Sequence, residues 1–190
     1  MRRCRWCNLE NPLYVAYHDR EWGVPVHDDG RLFEMLILEG FQAGLSWECI
    51  LNKREAFRRA FDGFDVRKVA AYDSEKIEEL MLDRGIVRNR LKISSAVANA
   101  RVFLLIQREF GSFDRYLLKF TGGAVVHECG LATSPLSDAI SKDLRRRGMK
   151  FVGSTIIYAF LQAIGVIDSH EPECFLATPA KLRVESETSQ

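Results

Sequence analysis

The sequence predicts an all-α fold. Apolar residues recur at the three- and four-residue spacing of helices along most of the chain. Glycine and proline fall between these stretches as short punctuation rather than as long loops. Strand signals are weak, and Gly123–His127 is the only stretch that reads as extended.

Taken in order, Gly30 precedes a helix with Leu32, Met35, Leu36 and Glu39 on one face, and Gly40 follows it. Ser46 is a candidate N-cap for the next helix, which runs towards Phe57. A further helix starts around Asp73 and Ser74, carries Ile77, Leu80 and Met81, and stops near Gly85. A long helix then places Ile93, Ala96, Val97, Ala100 and Leu104 on one stripe. Ser134-Pro135 is a cap followed by proline at the first helical position. That helix carries Leu136, Ala139, Ile140 and Leu144 and ends at Gly148. The segment Phe151–Ile164 reads as a buried core helix ending at Gly165. Residues 1–178 are expected to form one domain, with a terminal lobe from about 1–60 and 150–178. Residues 179–190 turn polar and are expected to form a flexible tail.

Composition narrows the function. The 190 residues suffice for a real core, and the formal net charge of +1 gives no global field for a polyanion. The charge is nevertheless uneven. Arg84, Arg88, Arg90, Lys92 and Arg101 follow one another without an intervening acid, a local patch able to hold phosphates. Five irregularly spaced cysteines argue against a secreted disulfide framework and for the cytoplasm. The N-terminus MRRCRWCNLENP lacks the apolar core of a signal peptide. The longest uncharged run, 151–167, falls short of the roughly 20 residues of a membrane span. A monomer is the default expectation.

Four groups of residues carry candidate chemistry. LMLDRGIVRNRLKI has a helix end, a tight turn at Gly85 and a second helix, the pattern of a helix–hairpin–helix over about 74–104. Backbone N–H groups at the second helix's start would face a phosphate, with Arg88, Arg90 and Lys92 adding charge. A plain helical hairpin with solvated arginines gives the same pattern. Next, Cys4 and His18 near the start, and His170 and Cys174 near the end, could meet around one tetrahedral zinc. Cys4 and Cys7 form a competing C-x2-C pair.

The third group surrounds Glu39, which lies on the apolar side of its helix, where an ionised carboxylate is costly without a partner. Tyr14, Tyr17 and Trp22 lie upstream of it and Trp47 downstream. A flipped base is held by edge hydrogen bonds and aromatic faces, so the partner is either a ligand or an internal arginine or tyrosine. Last, Gln42, Gly44 and Leu45 of QAGLSW form a small loop suited to entering a base stack.

Together, C-x-W, NPLYVAYHDREWGVP, LFEMLILEGFQAGLSW, GIVRNRLKI, RRRGMKFVGSTIIYAFLQAIG and H-x3-C resemble the bacterial 3-methyladenine DNA glycosylase I family over roughly residues 4–175. The resemblance implies a helix–hairpin–helix DNA glycosylase fold whose termini are tied by one structural zinc on Cys4, His18, His170 and Cys174. It implies a monofunctional N-glycosyl hydrolase acting on double-stranded alkylated DNA and releasing 3-methyladenine. The family's base pocket then matches Glu39, Tyr14, Tyr17 and Trp47, with Trp22 nearby; Glu39 and Tyr17 are expected to be catalytic and Tyr14, Trp47 and Trp22 to bind the base. Phe41 departs from the small or polar residue expected between Gly40 and Gln42; facing the pocket it would alter base preference, facing the core it would not. A non-catalytic helix–hairpin–helix DNA-binding protein with a structural zinc is the alternative.

Overall fold

The computed structural model describes residues 1–177, so the expected tail from 179 lies outside the described residues. Short polar side chains set most helix starts. Asn11 opens α1 (Pro12–Arg20), Asp28 opens α2 (Asp29–Gln42) and Ser46 opens α3 (Trp47–Ala60), each side chain accepting from a first-turn N–H. A 3-10 turn (Asp62–Phe64) leads to α4 (Val66–Ala70) and α5 (Ser74–Leu82), capped by Asp65 and Asp73. Asn89 caps α6 (Arg90–Phe110) and Ser112 caps α7 (Phe113–Thr121). A reciprocal Ser134–Ser137 capping box opens α8 (Pro135–Arg146), and α9 spans Ser154–Ala163. Each such cap stabilises its helix by about 1 kcal/mol. The extended stretch contracts to β1 (Val126–His127), which pairs in parallel with β2 (Ile167–Asp168).

The organising element is α2. Every residue from Leu32 to Phe41 is buried, so the helix is covered on all sides rather than along one face. It packs against α3, α6, α7 and α9, and one continuous apolar core runs from Cys4 to Cys174. Gly40 does not end this helix, as the sequence suggested. It continues the helix where the Phe151 backbone and Cβ pass close by, and the chain leaves the helix at Ala43. Phe41 faces the core, edge-on to Phe57 with ring centroids 4.8 Å apart. The buried segment after Phe151 becomes helical only at Ser154, because Phe151 itself adopts φ +54. Three helices arise where no helix was expected: α1, α4 and α7.

Residues Asp83–Asn89 join α5 to α6. Gly85 is needed there for close approach: a Cβ would sit 2.9 Å from Ala56 of α3. Lys53 of α3 donates to the Arg84 and Gly85 carbonyls at 3.4 and 3.3 Å, which fixes the turn against the core. Among the described residues no helix is long and apolar enough to cross a membrane.

Candidate functional site

Two buried glutamates on α2 have opposite fates. Glu34 accepts from Arg54 Nε at 2.7 Å and Arg58 Nε at 2.9 Å, an internal ion pair of the ordinary kind. Glu39 is 2% exposed, and its Oε2 has no hydrogen-bond partner. Burial pushes its carboxyl up to about 8. A cavity of about 320 Å³ opens beside it. Tyr14, Tyr17, Trp22 and Trp47 all line that cavity with Glu39.

The lining is aromatic with a few polar atoms. Tyr17 and Trp47 lie with ring centroids 5.2 Å apart. Trp47 Nε1 is buried and also lacks a hydrogen-bond partner, so an orphaned donor and an orphaned acceptor share one cavity. Such groups cost free energy until something fills the space. Burial first, and then the nearby Glu39 charge, hold the Tyr17 phenol well above its usual range. Burial pushes Tyr14 up to about 12, so both tyrosines are neutral donors.

Sequence reasoning did not single out Trp6, which lines the cavity and packs edge-on to Trp22 at 4.8 Å and tilted against Tyr14 at 5.3 Å. Its position two residues after Cys4 in C-x-W was the available signal. Gln162 of α9 and the Cys129–Leu131 segment complete the wall, and nothing in their local sequence marks them. Gln42, expected at the DNA surface, also lines the cavity.

Behind the aromatic wall, ligand atoms of Cys4, His18 and Cys174 lie within 4.8 Å of one another, all buried. Cys174 Sγ and His18 Nε2 are 3.5 Å apart. With Zn–S about 2.3 Å and Zn–N about 2.0 Å, two ligands on one tetrahedral ion sit at roughly that separation. His170 stands alongside, its ring 5.6 Å from that of His18. Asp19 meets His18 Nδ1 at 2.8 Å and itself accepts from Arg3 Nε and Nη2, each at 2.7 Å; Asp168 meets His170 Nδ1 at 2.9 Å. A carboxylate on Nδ1 directs the other ring nitrogen's lone pair towards a metal, so Cys4, His18 and Cys174 fit one zinc ion, with His170 beside that cluster rather than in it. Cys7 points elsewhere, to the Tyr14 carbonyl at 3.8 Å.

The residues expected to meet DNA separate by burial. Leu45 is 43% exposed after Gly44, which has φ +77. Arg88 and Arg90 are exposed, and Arg90 forms a bidentate pair with Glu78 at 2.5 and 2.6 Å. Lys92 is buried, against expectation: its ammonium donates to the Phe41 and Ala43 carbonyls rather than standing at the surface. Asp114, the first aspartate after residue 104, pairs with His27 at 3.0 Å and does not line the cavity.

The chain is 46% identical over 181 residues to DNA-3-methyladenine glycosylase 1 of Escherichia coli (strain K12), covering 92% of this chain and 96% of that protein. A crystal structure of a 3-methyladenine DNA glycosylase I superposes with a TM-score of 0.89 at 43% identity, covering 93% of this chain and 100% of that one. A tyrosine-to-phenylalanine variant of such an enzyme, solved in complex with 3-methyladenine, gives 0.88 at 34% identity, covering 92% and 97%. The methyladenine glycosylase family profile matches residues 6–177. With an aromatic cavity built around an unpaired carboxylate, and relatives of this closeness over nearly its whole length, the chain belongs to the methyladenine glycosylase family of enzymes.

Proposed function

We propose that this enzyme flips 3-methyladenine out of alkylated double-stranded DNA and hydrolyses its N-glycosidic bond. One observation carries the reading: Glu39 is buried, unpaired and beside a cavity lined by aromatic rings. The 3-methyladenine named for its relatives supports the choice of base.

Alkylation at N3 leaves a positive charge on the adenine. A carboxylate in a water-poor pocket attracts such a base far more strongly than it would in water. The rings of Trp47, Tyr14 and Trp22 offer faces for it, and Tyr17 stands beside Glu39 as a neutral donor. The cationic base is already a good leaving group, so no strong acid is required. The bond between the sugar C1′ and the base nitrogen breaks with both electrons going to the base, which departs neutral. Positive charge develops on the sugar as in other glycosyl transfers, water adds to C1′ and its proton goes to solvent. Selection comes largely from flipping, because a damaged, poorly stacked base costs less to extrude than a normal one.

In this reading the α5–α6 turn is a helix–hairpin–helix that holds the backbone through its N–H groups and Arg88, and Leu45 enters the stack. Cys4, His18, His170 and Cys174 would hold one zinc, which ties the two ends of the domain together and takes no part in the chemistry. Five free cysteines fit the reducing bacterial cytoplasm, where the DNA lies. A non-catalytic DNA-binding protein would gain nothing from the unpaired Glu39. The deciding experiment is incubation with methylated duplex DNA and chromatography of released bases. Release of 3-methyladenine is expected; tight binding without release would establish the non-catalytic alternative.

A further inference from the structure

The chain after α2 turns sharply. Leu45 N donates to Gln42 O at 2.6 Å, with Ala43 at φ −46, ψ 116 and Gly44 at φ +77. These angles define a type II turn, whose central peptide is flipped relative to the commoner type I and whose third residue favours glycine. No atom lies within 4 Å of where a Gly44 Cβ would be, so conformation alone accounts for the glycine.

The flipped carbonyl is held from the hairpin side. Lys92 Nζ donates to Ala43 O at 2.6 Å and to Phe41 O at 2.8 Å. These two carbonyls flank Gln42, which lines the cavity, and the turn they fix presents Leu45. Lys92 itself lies in the first turn of α6, where its N–H donates to the Asn89 cap at 3.1 Å. Lys92 as a residue is 8% exposed, and its ammonium lies 6.0 Å from the Phe151 ring centroid. Burial lowers its pKa from the ordinary lysine value, so the carbonyls take over the role of water.

Building on the excision reading, we propose that Lys92 is a positioning residue that locks the Gln42–Leu45 turn to the first turn of α6. The backbone-gripping hairpin and the leucine offered to the base stack then move as one body. A type I turn would point Ala43 O away from the ammonium, so the grip selects the type II form. Without it, the turn is free to flip its central peptide, and Leu45 meets the duplex out of register with the bound phosphates.

The test compares Lys92→Met, Lys92→Arg and wild type in three measurements: thermal unfolding, affinity for free 3-methyladenine, and single-turnover excision from methylated duplex. A displacement of about 1 Å at a positioned group costs on the order of 100-fold in rate. Lys92→Met is therefore expected to lose at least roughly tenfold in excision while free-base affinity changes by less than about threefold, with Lys92→Arg recovering part of the rate. If Lys92→Met does not fold, Gly44→Ala strains the same turn from its solvent side and is expected to give the same split. Equal loss in both binding and excision, or a lower unfolding temperature with unchanged excision, overturns the proposal. Wild type that releases no base defeats the excision reading itself, which is a separate result.

Discussion

Glu34 and Glu39 ride the same buried helix, yet only Glu34 meets a guanidinium, while Glu39 Oε2 is left facing an aromatic cavity without a partner. The helix can carry both only because Arg54 and Arg58 neutralise one of them and the other can take up a proton. The unpaired carboxylate is thus a cost in the empty protein, one that a cationic base would remove under the proposed function.

Glu39→Gln should fold normally, since the amide keeps the shape and removes a buried ionisable group. A hydrogen bond to a charged group is worth about 1.5–3 kcal/mol, so free-base affinity should fall on the order of 10- to 100-fold. Excision of 3-methyladenine should fall at least as far. Unchanged kinetics in a well-folded variant would remove Glu39 from recognition.

Proton linkage gives a second check. The Glu39 carboxyl sits at about 8 in the empty protein, and a cationic ligand favours its ionised form. Affinity for a permanently cationic methylated adenine should therefore rise with pH up to about 8 and flatten above it, with up to one proton released on binding at lower pH. Tyr14 and Tyr17 of α1 face Glu39 and stay neutral through this window. Stability runs the other way. A folded-state pKa above the unfolded value near 4.5 means this group's contribution is fully present below pH 4.5 and is lost as pH rises through about 8, by at most about 1.4 kcal/mol per unit. Both slopes should vanish in Glu39→Gln; calorimetry in buffers of different ionisation enthalpy measures the released proton.

How much of this was legible depends on the kind of signal. Caps at Ser46, Asp73 and Ser134 are local hydrogen-bond chemistry, and the helices start where those residues stand. The apolar spacing of Leu32, Met35, Leu36 and Glu39 found α2 but described it as one-faced, because periodicity reports a stripe and not what packs on the other sides. Helix α1 escaped because only Tyr17 and His18 of its residues are buried, too few for a period. In α7 the Ser112 cap and the buried Phe113, Tyr116 and Leu117 were present and went unused. Among site residues, aromatics near Glu39 in sequence were found; Trp6 and Gln162 arrive through chain crossings that no local pattern records. Lys92 looked like part of a basic patch because charge in a sequence carries no direction.

The metal reading predicts one zinc per chain by elemental analysis. His170→Ala should lose it, and chelation should lower the unfolding temperature. Cys4 is two residues from Trp6, and His18 packs against the Trp6 ring at 5.2 Å, so metal removal should also weaken free-base binding. A His170→Ala protein that keeps a full zinc would place the fourth ligand elsewhere.

Arg88 and Arg90 should differ despite their closeness. Arg90 is already neutralised by Glu78, whereas Arg88 forms no ion pair among the described residues. Removing one phosphate contact lowers the salt slope of DNA binding by about 1. Arg88→Ala should show that loss, with little sequence dependence. Arg90→Ala should show less, and Glu78→Gln should increase affinity by freeing Arg90. Equal slopes for both arginine variants would mean the Glu78 pair opens on the duplex.

Arg54 should prove the most costly of the charged positions to remove. It is 5% exposed and joins Glu34 at 2.7 Å to Glu21 at 2.7 Å, while Arg58 reaches Glu34 from the more open side. Arg54→Met keeps the length and apolar stem but leaves Glu34, itself 7% exposed, with one partner. Breaking a buried pair from one side costs about 3–5 kcal/mol, at the upper end when no partner remains. At about 2–4 °C per kcal/mol for a chain of this size, the unfolding midpoint should drop by roughly 6–20 °C. Adding Glu34→Gln to Arg54→Met removes the stranded charge and should restore much of the loss, so the double-mutant cycle isolates the pair from the packing of the stem. The same cycle bears on Glu39. If paired glutamates on α2 are structural and the unpaired one is for the ligand, Arg54→Met should lower stability far more than it lowers free-base affinity, and Glu39→Gln should do the reverse.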